Sequence, residues 1–337
     1  MSFLALDIGG ANLKIASSEG FARSQSFCLW QRHTELATTL SDMLAHAPAA
    51  DRLALTMTGE LADCFATKAE GVDVLVAAVE QAAGPREVGV YATDGRLVST
   101  AEARAKPLLV AASNWHALAG FAARYCQARA GLLVDLGSTT CDIIPIENGV
   151  AAARGRTDPE RLAGSELVYT GVTRSPVCAV VGHLPWRGKP CRVAQEMFAT
   201  TADAYLVLGD IAESIQNGET ADGRPRTKAF SHARLARSIC ADTTMFSWAD
   251  AEMAAQAVCD AQLQLLHSAI QKVTKRMESA PQTIVISGQG EFVLRRLLAL
   301  EGFSGRRVWL SDELGLEISQ AACAYALAVL AEEGAIL

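Results

Sequence analysis

Two segments of the chain share one pattern, an apolar run followed by Asp, an apolar residue, Gly and a small residue. The first covers residues 4–16 around Asp7, and the second covers residues 132–144 around Asp135. Glycine tolerates the positive φ of tight turns, so each segment predicts a strand-turn-strand hairpin. Such a turn presents free backbone N–H groups to a phosphate, and an adjacent Asp can hold a metal ion. The repeated pattern predicts two halves that face one phosphate.

Further elements must position these hairpins. At 337 residues the chain is long for a single core, so two lobes are expected, residues 1–130 and 131–337. The apolar spacing predicts an α/β class with these further elements: a third strand at 21–30, a helix at 35–47, strands at 52–58 and 88–91, helices at 71–83, 114–128 and 251–278, a strand at 283–287, and helices at 291–299 and 316–330. Asn148-Gly149 indicates a further hairpin, which leads from the second of the two repeated segments into a third strand of the second half. We expect the C-terminal region 316–337 to contain a helix that can pack on the first lobe, and residues 154–250, which lack clear periodicity, to form a substrate-region insertion.

The composition excludes several function classes. The net charge of −7 argues against a general nucleic-acid surface, and no stretch reaches the roughly 20 apolar residues of a membrane span. The N-terminus lacks the features of a secretory signal. Nine cysteines without a CxxC pair indicate a reduced, cytoplasmic protein. We therefore expect small-molecule substrates and leave a homodimer open.

Four motifs follow one another along the chain: an Asp-Ile-Gly-Gly hairpin, a Thr-Gly-Glu strand end at 58–60, an Asp-Leu-Gly-Ser-Thr-Thr hairpin, and a Ser-Gly-Gln-Gly turn that enters a helix. This order resembles the actin, sugar-kinase and Hsp70 superfamily, whose two ribonuclease-H-like domains close on a nucleotide across a central cleft. The resemblance implies phosphate contacts at both hairpins. It also implies an adenosine contact at Gly288, Gln289 and Gly290.

A narrower resemblance rests on five segments, residues 56–65, 135–146, 164–172, 198–209 and 220–225. They resemble the hydantoinase/oxoprolinase-related group linked to tetrahydromethanopterin one-carbon metabolism. One branch of that group is similar to the methanofuran-biosynthesis enzyme that condenses an aminomethylfuran diphosphate with γ-glutamyltyramine. The resemblance implies a Mg²⁺-dependent transferase that releases diphosphate.

Departure of diphosphate from a furfuryl carbon requires donors and a metal more than a strong nucleophile. Asp7 and Asp135 are expected to hold Mg²⁺ directly or through water, and Lys14 can add a positive charge. The expected phosphate contacts are Gly9, Gly10, Asn12, Gly137, Ser138, Thr139 and Thr140. Turn capping by the two aspartates, and a solvated strand face for Asn12 and Lys14, are the alternative interpretations.

Three more carboxylates complete the expected chemistry. Glu60 or Asp63 can deprotonate an attacking phenol or position a water, and Asp142 can complete the metal shell. The predicted catalytic set is therefore Asp7, Glu60, Asp135 and Asp142. For Glu60, a carboxylate at a helix start is the alternative.

The insertion supplies the expected substrate region, for which the candidates are Glu166, Tyr169, Arg174, Asp203 and Asp222. Several arginines there are open to two interpretations, a clamp on diphosphate or carboxylate and a solvated charge run: Arg154, Arg156, Arg174, Arg187 and Arg192. The alternative function is an ATP-dependent small-molecule kinase or ligase. ATP is a possible cofactor but is not favoured, because Gln289 departs from the small residue common in the adenosine turn. A nucleotide-gated scaffold is disfavoured, since no separate peptide-binding domain is evident.

Overall fold

The computed structural model describes residues 2–127, 129–301 and 303–334. The strands are β1 (Phe3–Ile8), β2 (Asn12–Ser17), β3 (Ala22–Ser26), β4 (Arg52–Met57), β5 (Glu87–Tyr91), β6 (Leu97–Ser99), β7 (Gly131–Leu136), β8 (Cys141–Glu147), β9 (Val150–Ala151), β10 (Leu167–Val168), β11 (His183–Trp186), β12 (Lys189–Arg192), β13 (Thr283–Ser287) and β14 (Arg306–Trp309). The helices are α1 (Leu29–Arg32), α2 (Leu36–Ala45), α3 (Lys68–Ala83), α4 (Thr100–Ala105), α5 (Pro107–Val110), α6 (Asn114–Ala122), α7 (Asp158–Gly164), α8 (Val177–Val180), α9 (Thr201–Leu208), α10 (Lys228–Arg237), α11 (Trp248–Thr274), α12 (Glu291–Glu301), α13 (Leu310–Leu314), α14 (Leu316–Gln320) and α15 (Ala322–Glu332).

Two main sheets repeat one arrangement. The first has the order β3-β2-β1-β4-β5-β6, in which β1 is antiparallel to β2 and parallel to β4. The second has the order β10-β8-β7-β13-β14, in which β7 is antiparallel to β8 and parallel to β13. Each sheet thus contains one inner hairpin followed by two parallel strands. This repetition confirms the predicted α/β class with two ribonuclease-H-like domains.

A pair of helices joins the two sheets. α15 contacts β1, β2 and β4 of the first sheet, and it also packs along α6. Leu327 and Ala328 pack with Phe3 on the first sheet, whereas Cys323 packs in the same cluster as Trp115 and the second sheet. The C-terminal helix therefore returns to the first half of the molecule.

Several element ends differ from the prediction. The strand expected to reach Trp30 ends at Ser26, because the chain turns into α1. The helix expected over 114–128 ends at Ala122 and tightens into a 3₁₀ turn, and residue 128 lies outside the described residues. The helix expected over 316–330 is divided at Ala321 into α14 and α15, and residues 335–337 also lie outside the described ranges.

The insertion is more regular than its sequence suggests. It contains α7 to α10 and β10 to β12, which are too short to show a clear period. Threonine side chains begin several of these helices, with capping boxes at Thr157 and Thr200. Across the described ranges, no helix is both long and apolar enough to span a bilayer, and each of the nine cysteines is unpaired.

Candidate active site

The first hairpin places Asp7 and Lys14 opposite each other on β1 and β2. Lys14 Nζ lies 3.4 Å from Asp7 Oδ2. Asp7 is only 3% exposed, and this burial raises the pKa of its carboxyl group against the opposing charge of Lys14. The other carboxylate oxygen, Oδ1, is buried and has no hydrogen-bond partner among the described residues. That oxygen is therefore available to a ligand.

Residues that follow β4 form hydrogen bonds to the turn of this hairpin. The N–H groups of Thr58 and Gly59 both donate to the Ile8 carbonyl, at 2.9 and 3.0 Å. The Gly9 N–H closes the turn on the Asn12 carbonyl at 3.0 Å. In contrast, the amides of residues 10 and 11 donate no hydrogen bond to any described residue. Two donors at the turn are thus open to an anion.

The second hairpin has the same construction. The Gly137 N–H donates to the Thr140 carbonyl at 2.9 Å, while the amides of residues 138–140 donate to no other described residue. The segment after β10 supports this turn, because Val172 N–H donates to the Gly137 carbonyl at 3.0 Å. At Gly171, a Cβ atom would lie 2.4 Å from the Ser138 carbonyl oxygen. Only glycine permits this close approach without displacing the hairpin.

Asp135 lies on β7 directly opposite Asp142 on β8. Burial and the charge of Asp142 raise the pKa of Asp135 to about 6, and Lys14 opposes them. Burial lowers the pKa of Lys14, but the negative charges of Asp7 and Asp135 outweigh burial and raise it. Because Lys14 belongs to the first hairpin and Asp135 to the second, this electrostatic interaction indicates that the two hairpins lie near each other.

The carboxylate of Asp142 is engaged by a buried arginine. Arg161 donates to Asp142 Oδ1, and the Arg161 guanidinium carbon lies 4.3 Å from the centre of the Trp115 ring. Burial raises the pKa of Asp142, and Arg161 lowers it. A metal ion would therefore compete with Arg161 for this carboxylate.

Glu60 follows β4 and is 1% exposed. Its Oε1 lies 3.3 Å from Lys68 Nζ, and Lys68 also bonds Asp158 at 2.9 Å. Asp158 in turn lies 3.6 Å from Arg161, so a row of charges runs from Glu60 in the first half to Asp142 in the second. Glu60 Oε2 is buried and has no hydrogen-bond partner within the described part of the chain, and burial raises the pKa of this carboxyl group.

Sequence reasoning missed the three residues that connect this row, which are Lys68, Asp158 and Arg161. Lys68 and Asp158 have the sequence pattern of ordinary charged residues at helix starts, and the Thr157–Glu160 capping box predicts α7 but not its contact with the other half.

Asp63, the alternative base, is exposed. Gly71 of α3 permits close packing behind Glu60, since a Cβ there would lie 1.9 Å from the Glu60 carbonyl oxygen.

The turn between β13 and α12 packs on the second hairpin. Gly290 N–H donates to the Leu136 carbonyl at 2.8 Å, and a Cβ at Gly288, where φ is +93°, would lie 2.7 Å from Asp135 Oδ1. Gly288 and Gln289 line a cavity of about 380 Å³.

A larger cavity, of about 520 Å³, lies beside β5 and β6 of the first sheet and is lined by none of the predicted site residues.

Three of the substrate-region candidates have structural partners inside the insertion. The Glu166 carboxylate accepts the N–H groups of Arg154 and Gly155, both at 2.9 Å. Asp203 caps α9 and accepts a bond from Arg234 Nε at 2.8 Å. Asp222 accepts bonds from the same Arg234 and from Arg237.

The other two candidates are exposed. Tyr169 is 70% exposed beside the segment that supports the second hairpin. The Arg174 guanidinium lies 4.6 Å from the centre of the Trp30 ring, which belongs to α1 of the first half. Arg174 is therefore the candidate that reaches across the cleft.

Two ribonuclease-H-like halves, with hairpins that converge on buried aspartates, define a two-lobed α/β protein of the actin-like fold. The hydantoinase/oxoprolinase family matches residues 51–333, and the chain belongs to that family. This finding confirms the membership predicted from the motifs.

Two curated relatives carry the same name, (4-{4-[2-(gamma-L-glutamylamino)ethyl]phenoxymethyl}furan-2-yl)methanamine synthase. The protein from Methanocaldococcus jannaschii is 34% identical over 333 residues, which are 98% of this chain and 97% of the relative. The protein from Methanococcus vannielii is 31% identical over 201 residues, 59% of this chain and 89% of the relative. Among solved structures, a PilM-PilN type IV pilus biogenesis complex matches with a TM-score of 0.50 and 11% identity over 98% of both chains, a likeness of fold alone.

Proposed function

We propose that this chain is a transferase that condenses an aminomethylfuran diphosphate with the phenol of γ-glutamyltyramine in methanofuran-type cofactor synthesis. The observation that carries the proposal is the convergence of Lys14 and Asp7 with Asp135 between two turns that have open amides. The product named for the two relatives contains an aryl ether, a furan and a γ-glutamyl group, which are the parts that this condensation would join.

The reaction forms one bond and breaks one. The bond between the furfuryl carbon and the diphosphate oxygen breaks, and its electron pair leaves with the diphosphate. The phenol oxygen forms the new bond to that carbon and gives up its proton. The electron-rich furan stabilises positive charge on the carbon while this exchange takes place.

The hairpins are suited to the leaving group. The open amides at residues 10 and 11 and at residues 138–140 can donate to diphosphate oxygens, and Lys14 adds a positive charge beside them. These donors are held in place before the reaction, so they stabilise developing negative charge without reorganisation. Hydroxyl groups of Ser138, Thr139 and Thr140 can supply further donors.

The donor set fits Mg²⁺. Asp7 has a buried oxygen without a hydrogen-bond partner among the described residues, and its charge contributes to the raised pKa of Asp135 in the other hairpin. Within the described ranges, no group of three or more His, Cys, Asp or Glu side chains is arranged to hold a metal. Two carboxylates nevertheless suit Mg²⁺, which commonly keeps several waters and binds substrate phosphates. When bound by Asp7 and Asp135, the ion would neutralise charge on the departing diphosphate.

Glu60 is the proposed base. It is a buried carboxylate with a raised pKa, and one of its oxygens accepts no hydrogen bond from any described residue. Both properties suit a group that must accept a proton near neutral pH. Asp142, held by Arg161, then acts as a positioning residue behind Asp135.

Incubation of the purified chain with the furfuryl diphosphate, γ-glutamyltyramine and Mg²⁺ tests the proposal. We expect one pyrophosphate for each ether product, followed by a coupled phosphate assay and by mass spectrometry. Absence of pyrophosphate with γ-glutamyltyramine, tyramine and other phenol or amine acceptors would contradict it.

One observation favours a second candidate, an ATP-dependent small-molecule kinase or ligase. The cavity beside Gly288 and Gln289 lies next to the second hairpin, and its volume of about 380 Å³ is within the usual range for small ligands. Calorimetry with ATP and Mg²⁺ separates the two functions. Tight ATP binding with turnover supports the kinase. For the transferase, the adenine group should not contribute to binding affinity.

A further inference from the structure

The cavity beside the second hairpin has two chemically distinct parts. At the hairpin side, Thr173 N–H donates to the Ser138 carbonyl at 3.0 Å, and Gly288 abuts Asp135. The remaining lining includes the apolar side chains of Ile211, Phe292 and Leu316 and the guanidinium of Arg226. It also includes Glu291, whose carboxylate already accepts hydrogen bonds from Ser311 and Ser319. A ligand in this cavity would thus lie beside the second hairpin at one end and meet the Arg226 guanidinium elsewhere.

Arg226 is half-buried, and its guanidinium group forms few hydrogen bonds to the described residues. Its Nη2 donates to the Glu219 carbonyl at 3.4 Å, while its Nε is buried without a hydrogen-bond partner in the described part of the chain. No carboxylate among the described residues forms an ion pair with it. Burial lowers the pKa of Arg226, although Glu219 and Asp203 oppose this effect. Because a half-buried cation without a directly paired anion is poorly stabilised, an anionic ligand that reached Arg226 would bind favourably.

We propose that this cavity binds the γ-glutamyl end of the acceptor, with Arg226 forming charge-assisted hydrogen bonds to its α-carboxylate. The planar guanidinium matches a carboxylate, and the apolar side chains of Ile211 and Phe292 match the phenethyl part of the molecule. The phenol oxygen then points toward the hairpin at Asp135. This inference rests on the proposed function, and it assigns acceptor selection to a residue outside the predicted site.

The chemistry distinguishes this occupant from a nucleotide. Adenine and ribose carry no negative charge for Arg226 to neutralise, and the phosphates of a nucleotide belong at the hairpins. The diphosphate substrate is also an anion, but the two hairpins already offer it open amides, and Lys14 on the first hairpin adds a positive charge.

Binding and kinetics of Arg226→Gln test the assignment, with Arg224→Gln as the matched control. Arg224 lies two residues away, is exposed beside Asp222 and does not line the cavity. Calorimetry on the full chain uses γ-glutamyltyramine, tyramine, pyrophosphate with Mg²⁺, and ATP. We expect Arg226→Gln to weaken γ-glutamyltyramine binding by about tenfold or more, as for loss of a charge-assisted hydrogen bond. Affinities for tyramine and pyrophosphate should not change, and Arg224→Gln should match the wild type.

The same variants separate this inference from the proposed function. With γ-glutamyltyramine, KM should rise in Arg226→Gln, while pyrophosphate release with saturating tyramine should persist. If the wild type released no pyrophosphate, the proposed function would fail, but selective loss of γ-glutamyltyramine binding would still support the carboxylate site. Equal losses for γ-glutamyltyramine and tyramine, unchanged γ-glutamyltyramine affinity, or displacement of γ-glutamyltyramine by ATP in an Arg226-dependent manner would each overturn it. A thermal unfolding curve for Arg226→Gln verifies that the variant is folded.

Discussion

Asp7 and Glu60 share one arrangement at the level of single atoms. Each is a buried carboxylate with one oxygen beside a lysine, Lys14 or Lys68. The other oxygen of each has no hydrogen-bond partner among the residues that the structure describes. The lysine offsets part of the cost of burying the charge, and the second oxygen stays available. In the proposed reaction, this second oxygen of Asp7 would bind Mg²⁺, and that of Glu60 would accept the proton of the phenol.

Replacement of Glu60 tests the proposed base. Glu60→Gln keeps the shape of the side chain but cannot accept the proton, so kcat should fall by about 100-fold or more. Pyrophosphate binding, measured by calorimetry, should be unchanged. The control is Glu252→Gln, since Glu252 is exposed on α11 and, among the described residues, accepts a hydrogen bond from Trp248 alone. A Glu60→Gln enzyme with wild-type kcat would remove Glu60 from the chemistry.

At the scale of elements, glycines fix how closely the site-forming segments approach. Gly71 brings α3 against Glu60, Gly171 brings the post-β10 segment against the second hairpin, and Gly288 brings the β13–α12 turn against Asp135. In each place, a Cβ would lie less than 3 Å from atoms of the site. The position of the catalytic groups therefore depends on backbone contacts between elements.

Gly171→Ala tests this dependence. The new methyl group would meet the Ser138 carbonyl at 2.4 Å, so the second hairpin must shift. We expect weaker pyrophosphate binding, by about tenfold, because a small displacement misaligns several donors at once. Gly182→Ala is the control, because a Cβ there would have no described atom within 4 Å and φ is not in the left-handed region. Equal pyrophosphate affinities of the two variants would show that the hairpin does not need this support.

The sequence predicts those parts of the site that come from local patterns. The β1–β2 and β7–β8 hairpins and the Gly288 turn lie where their glycines and apolar runs indicate. Local patterns do not show that Arg161 reaches Asp142 or that Arg234 reaches Asp203, because both pairs form only when distant segments meet. For Asp203, a signal was present, since Thr200 three residues earlier makes the spacing of a capping box.

At the scale of the whole molecule, the two halves are connected on several sides of the cleft. The α6–α15 pair packs against both sheets, and the charge row from Glu60 to Asp142 crosses through Lys68. Ser26 of the first half also donates to Glu219 of the insertion at 2.7 Å. These contacts link the two halves that carry the hairpins.

Lys68→Met should destabilise the protein by about 1–3 kcal/mol, because it leaves buried Glu60 and half-buried Asp158 without their shared cation. Urea unfolding measures this loss. Lys106→Met, which removes an exposed pair with Glu102, should change the free energy of unfolding by about 0.5 kcal/mol or less. If both substitutions had the same small effect, the charge row would not contribute to joining the halves.

Titration of pyrophosphate with Mg²⁺ into the wild type, Asp7→Asn, Asp135→Asn and the double variant tests the central claim most directly. If both hairpins hold one diphosphate, each single variant should weaken pyrophosphate binding by about tenfold or more. The binding free energy lost in the double variant should be smaller than the sum of the two single losses, because the two hairpins act on the same ligand. Removal of Mg²⁺ should weaken binding to the wild type in the same way, and Asp260→Asn, on the exposed face of α11, should have no effect. Loss of affinity in only one single variant, with the other at the wild-type value, would contradict a shared diphosphate site.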